Sequence, residues 1–113
     1  MSADIDWENY ARVHSDRRNL LIHAIAVPLF VAATLGFAWS LVVGDVLLLL
    51  AAALGAVAAM VLQAKGHALE KHPPEPFTGP GNFLKRWFRE QFLIFPLYLA
   101  TGRWWRRFSM SSG

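Results

Sequence analysis

Two long stretches of the chain carry no charged side chain, residues 20–43 and 46–64, and only Gly44-Asp45 separates them. A bilayer core about 30 Å thick needs roughly 20 helical residues at about 1.5 Å each, and both stretches reach that length. A helix on the surface of a soluble bundle carries a polar stripe, and residues 46–60 carry none. Gly-Asp is a turn signal, so the pattern predicts an antiparallel transmembrane helical hairpin with spans at 20–43 and 46–64. Asp16 or Ser15 is placed to cap the first span, and Pro28 inside it predicts a bend that neighbouring helices tolerate.

The flanks differ. Residues 1–19 are polar and predict a short interfacial N-terminal helix around Trp7, Tyr10 and Val13. They include Asp4, Asp6 and Glu8, so the first apolar run does not read as a signal peptide. Residues 65–82 are a loop rich in Pro and Gly. From a cap at Asn82, residues 83–108 mix Phe83, Trp87, Phe92 and Phe95 with Lys85, Arg86, Arg89 and Glu90. The apolar run 92–100 is too short to span and holds Pro96, which predicts a C-terminal amphipathic or re-entrant helix. The Arg-Trp-Trp-Arg-Arg stretch at 103–107 reads as an interface anchor. The expected fold class is a single all-α membrane domain over 1–113.

Composition narrows the chemistry. The 113 residues contain no cysteine, which removes disulfides, thiolate metal sites and cysteine nucleophiles. Charged residues are 17% of the chain and the net charge is +3. Arg12, Arg17 and Arg18 precede the hairpin and Lys65 and Lys71 follow it, while the tip carries only Asp45. The positive-inside rule then places both termini in the cytoplasm. The basic excess reads as orientation and anchoring, with no nucleic acid as partner. Two spans make a thin bundle, which leaves room for a homodimer.

The histidines carry the functional signal. His23 is about 21 residues before the hairpin tip and His67 about 22 after it, so an antiparallel hairpin puts both at one depth. At about 100° per residue, Gln63, His67 and Glu70 form one polar stripe, and Asn19 and His23 share a face as i and i+4. His14 would point about 180° away from His23 on an unbroken helix, but a break at Ser15-Asp16 lets it fold back. Three neutral imidazoles suit Fe(II), Zn(II) or Mn(II). Glu70 can be a fourth ligand or orient a histidine, and Asn19 and Gln63 can give similar support. His72 reads as a loop residue. Glu90 is first read as an i−4 partner of Arg86, with a place facing the histidines as the alternative.

These residues resemble a known family. Tyr10, His14, Asn19, His23 and Pro28 in YARVHSDRRNLLIHAIAVP, then Gln63, Gly66, His67 and Glu70 in QAKGHALEKHPPEP, are similar to the small membrane proteins grouped with the fungal 2-hydroxy-palmitic-acid dioxygenase of fatty-acid α-oxidation. The later PFTGPGNFLKRWFREQFLIFP resembles the bacterial branch. The resemblance implies an Fe(II)-dependent dioxygenase that uses O2 to shorten a 2-hydroxy fatty acid by one carbon. It implies His14, His23 and His67 as iron ligands, with Asn19, Gln63 and Glu70 in support; whether Glu70 or Glu90 lies beside the metal stays open. An integral protein of the bacterial inner membrane is expected, with the histidine cluster on the cytoplasmic side by the positive-inside rule. Arg17, Arg18 or Lys65 are available to hold the substrate carboxylate. Two other readings stay open: a non-catalytic, lipid-interacting helical module, and a structural metal site, with Zn(II) as the metal.

Overall fold

A computed structural model describes residues 5–110; Asp4 and the rest of residues 1–4, and residues 111–113, lie outside the described residues. All regular structure among the described residues is helical. The first helix, α1, covers Trp7–Val13, and the Asp6 carboxylate caps it by accepting from the Asn9 N–H at 3.0 Å. The second, α2, covers Arg17–Val43. Of the two expected caps the chain uses Asp16, which accepts from the Arg18 N–H at 2.8 Å. The helix therefore begins before the apolar run, because Arg17, Arg18 and Asn19 supply its first turn. It runs through Pro28 and stops at Gly44, whose φ of 71° is left-handed. Asp45 then caps α3, Val46–Ala68, by accepting from the Leu48 N–H at 3.0 Å.

The boundary expected at residue 64 is corrected to Ala68. Lys65 ends the uncharged run but has nothing in its backbone that ends a helix. The extension matters because it carries His67 on regular structure.

The two long helices pack through small residues. A Cβ on Gly55 would stand 3.5 Å from Ala33 Cβ, and one on Gly36 would stand 3.8 Å from Ala52 Cβ. Close backbone approach at small residues is how apolar helices associate without a hydrophobic drive between them. Gly66, late in α3, meets Asn19 and Ile22, early in α2. Both helices are long and apolar enough to cross a membrane. Their outer faces stay open, with Leu47 80% and Val42 75% exposed.

The C-terminal part is not one helix from an Asn82 cap. It begins with α4, Pro80–Arg89, with Gly79 at the cap position. Pro80 needs no N–H partner at the first turn, and Asn82, already inside the helix, accepts from the Thr78 N–H at 3.1 Å. A π-helical turn, Glu90–Ile94, leads into α5, Phe95–Ala100. Pro96 has no N–H to return to Phe92, so the ladder is interrupted where the wider turn ends. Gly102, at φ 79°, breaks the chain again before α6, Arg103–Met110.

One core joins Tyr10, Leu20, Val27, Phe95 and Tyr98, so α1, α2 and α5 meet there. A second joins Ala26, Phe30 and Ala59, with Trp87 of α4 against it. Trp104 Nε1 donates to Leu20 O at 2.9 Å and ties α6 to the start of α2. These contacts join α1, the start of α2, α5 and α6, and the Gln63–Gln91 amide pair ties α3 to the π turn.

Candidate metal centre

His14 is the residue at which α1 ends, His23 lies in the second turn of α2, and His67 is in the last turn of α3. The three rings form a nearly equilateral triangle, with centroids 4.8, 4.8 and 4.9 Å apart and steep interplanar angles. His14 and His23 are buried and His67 is half-buried. His14 Nδ1 lies 2.8 Å from Tyr10 O, and His23 Nδ1 lies 3.1 Å from Asn19 O. A carbonyl oxygen only accepts, so each Nδ1 donates and each Nε2 keeps its lone pair.

Those Nε2 atoms are buried with no partner, and so is Nδ1 of His67. One ligand nitrogen from each ring lies within 4.8 Å of the others. Buried polar atoms are ordinarily satisfied, so three orphaned imidazole nitrogens around one point fit a divalent metal of borderline softness. Burial, reinforced by the neighbouring His23 and His67 rings, holds His14 well below the usual histidine range. His14 is therefore neutral at pH 7, the form that binds a metal.

Glu90 faces the histidine cluster. Its Oε2 lies 3.8 Å from His14 Nε2 and 3.9 Å from His23 Nε2, and it accepts from the Tyr10 hydroxyl at 2.6 Å. Burial pushes the Glu90 carboxyl up to about 7, against the opposing pull of the Tyr10 hydrogen bond. The expected Arg86 pairing is corrected: Arg86 donates to Pro76 O and lies over the Phe77 ring. Glu90 opens the π turn, so i−4 arithmetic on a regular helix does not describe its direction.

Glu70 faces the break between α1 and α2. Its Oε1 accepts from Ser15 N–H at 2.9 Å, Ser15 Oγ at 3.0 Å and Asp16 N–H at 3.1 Å. Its Oε2 accepts from Asn19 Nδ2 at 2.7 Å. The carboxylate thus clasps the turn that brings His14 back over His23. A Cβ on Gly66 would collide with Asn19 Oδ1, so a larger residue at this crossing would force Asn19 to shift. Gln63 makes a reciprocal amide pair with Gln91, at 2.9 and 2.8 Å, and both are buried. His72 is an exposed residue of the segment between α3 and α4. Arg17 bonds Phe108 O and Arg18 pairs with Asp16, so both are engaged away from the histidines.

An open apolar groove of about 360 Å³ lies between α2 and α5, lined by Val27, Pro28, Val31, Leu35, Phe95 and Leu99 among others. Phe95 is shared, because its ring also stands 5.8 Å from the His23 ring.

A family model described as 2-hydroxy-palmitic acid dioxygenase Mpo1-like matches residues 2–105. The chain belongs to this family. The stretch that matches the Mpo1-like model contains all three histidines, Glu70 and Glu90. No curated protein and no solved structure matches the chain. Within this Mpo1-like chain, sequence spacing pointed to the three histidines, Asn19 and Glu70. It did not single out Gln91, and it ranked the histidine-facing place of Glu90 second. The acidic charge of Glu90 within an aromatic, basic segment was the available signal.

Proposed function

We propose that the chain is an Fe(II)-dependent dioxygenase that shortens 2-hydroxy fatty acids by one carbon, with O2 as co-substrate. The observation that carries this reading is the convergence of three buried, unpartnered imidazole nitrogens in a chain of the Mpo1-like family. His14 Nε2, His23 Nε2 and His67 Nδ1 would hold the metal, leaving positions for a bidentate 2-hydroxy-carboxylate. Iron held there would supply the redox chemistry that couples O2 to cleavage of the acid. Tyr10 fixes Glu90 beside the two Nε2 atoms, and Glu90 can hold a proton at its carboxyl near neutral pH. Glu70 and Asn19 act as positioning residues, and Gln63 secures α3 to the π turn through Gln91.

The groove beside Phe95 suits the acyl chain, because it is apolar and its inner wall touches His23. The exposed apolar faces of α2 and α3 support two transmembrane spans, with α4 to α6 at or re-entering the interface. Positive charge at the open end of the hairpin favours a cytoplasmic histidine site in a bacterial inner membrane.

The three ligands come from three different helices, which favours a second reading, a structural Zn(II) site that staples α1 to the hairpin. A product assay separates the two. Purified protein is given 2-hydroxypalmitate, Fe(II) and O2, and wild type is compared with His23→Ala. Formation of a fatty acid one carbon shorter by wild type alone supports the dioxygenase. No product from either, with zinc retained, supports the structural site.

A further inference from the structure

A second hollow of about 360 Å³ opens between α1 and the corner of α5 and α6, lined by Trp7, Glu8, Tyr98, Arg103, Arg106 and Arg107 among others. Three guanidiniums face one carboxylate, an excess of two positive charges. Among the described residues no ion pair neutralises Arg103, Arg106 or Arg107. Arg103 is held by lying 4.5 Å over the Trp7 ring. Tyr98 is only 2% exposed, fixed by a stack on Trp7 at 5.7 Å and an edge contact with Tyr10 at 4.7 Å. Its buried hydroxyl has no hydrogen-bond partner, and neither does the buried Nε of Arg107.

Unpartnered buried donors are rare because each forfeits its hydration. Here the two residues that carry these unpartnered donors, Tyr98 and Arg107, line one cationic hollow. Burial raises the Tyr98 hydroxyl above its ordinary range, while Arg107, Arg103 and Arg106 pull it back. Tyr98 is therefore a protonated donor. A ligand that satisfies this set carries only acceptors, several oxygens and more than a single diffuse charge. Phosphate meets that description, and arginine forks match it geometrically.

We propose that Tyr98, Arg103, Arg106 and Arg107 form an oxyanion site that binds a phosphate group. None of these residues is assigned to the metal, so the site stands apart from the dioxygenase reading. Two sources share the chemistry, the headgroup of an anionic phospholipid and the free phosphate ion. Trp104 and Trp105 on the same helix are residues of the headgroup zone, which gives the lipid ready access.

Native mass spectrometry of the full chain, released from neutral detergent, tests the site. Phosphatidylglycerol is compared with diacylglycerol, which lacks phosphate, and with palmitate, which offers a carboxylate. One phosphatidylglycerol per chain is expected, its retention weakened by Arg107→Gln, with no Arg107-dependent retention of either of the others. Tyr98→Phe, which keeps the packed ring, weakens retention about tenfold, the scale of one hydrogen bond to a charged group, and Arg107→Gln does at least the same. Arg12→Gln, an exposed change on α1, leaves it unchanged. Displacement of the lipid by millimolar inorganic phosphate supports the site with the free ion as its source; resistance supports it with the headgroup as its source. Palmitate seated in the acyl groove beside Phe95 would not respond to Arg107→Gln. The proposal is overturned if diacylglycerol or palmitate is retained and Arg107→Gln weakens that retention as it weakens phosphatidylglycerol's. It is equally overturned if Tyr98→Phe binds as wild type, or if Arg12→Gln weakens binding as much as Arg107→Gln.

Discussion

Asn19 Nδ2 donates to Glu70 Oε2 at 2.7 Å and joins the first turn of α2 to the segment just past α3. The same Glu70 accepts from Ser15 and Asp16, so one carboxylate fixes the break that returns His14 to the other two histidines. Glu70→Ala strands these donors. Hydrogen bonds to a charged group are worth roughly 1.5–3 kcal/mol, and for this half-buried carboxylate we expect a loss of about 2 kcal/mol. Metal affinity falls about tenfold or more, as for loss of a group that orients a ligand. Thermal unfolding in micelles and a metal titration check both, and unchanged values in both contradict the clasp.

Gly66→Ala forces a Cβ against Asn19 Oδ1. Asn19 cannot simply turn aside, because its amide nitrogen is held by Glu70. Overpacking of this kind costs about 1–3 kcal/mol. Adding Asn19→Ala relieves the clash, so the double variant is more stable than the two single losses predict. A double-mutant cycle measures that coupling, expected at about 1 kcal/mol. Strict additivity would contradict the contact.

The buried Gln63–Gln91 pair makes a sign prediction. Gln63→Leu leaves the Gln91 amide without a partner and costs roughly 1–3 kcal/mol. Replacing both by Leu removes the orphan, so the double variant is less destabilised than either single variant. Equilibrium unfolding of the three variants checks the order.

Glu90 predicts a pH dependence in the metal-free protein. Its folded carboxyl is raised to about 7, so the folded chain holds a proton that the unfolded chain releases above its ordinary range. Its stabilising contribution is present in full in acid and is lost as pH rises through 7. Glu90→Gln keeps the neutral form at every pH. Relative to wild type it therefore gains stability between about pH 5 and 8, by on the order of 2 kcal/mol. Chemical unfolding at the two pH values reads the gain. A difference that is flat with pH contradicts a buried, near-neutral Glu90.

Much of this arrangement was legible in the sequence because it depends on length and helical pitch. The uncharged runs and the Gly44-Asp45 turn placed His23 and His67 at one depth, and the polar break at Ser15-Asp16 allowed His14 to return. Glu90 and Gln91 were less legible, since their directions depend on a π turn that no periodic template encodes. The resemblance singled out Gly66, but the physical reason for a glycine there was not legible in the sequence. It comes from a contact with Asn19, which lies far away in sequence. Asn82 misled because an Asn before an apolar run is a cap signal, whereas Pro80 had already started the helix.

The central claim is that His14, His23 and His67 together hold one iron. Metal analysis of protein purified anaerobically with iron supplied tests it most directly, on wild type and on His14→Ala, His23→Ala and His67→Ala. We predict close to one iron per chain in wild type and a marked loss in each variant, with helical content retained. Sub-stoichiometric iron in wild type, or undiminished iron in the variants, would contradict it.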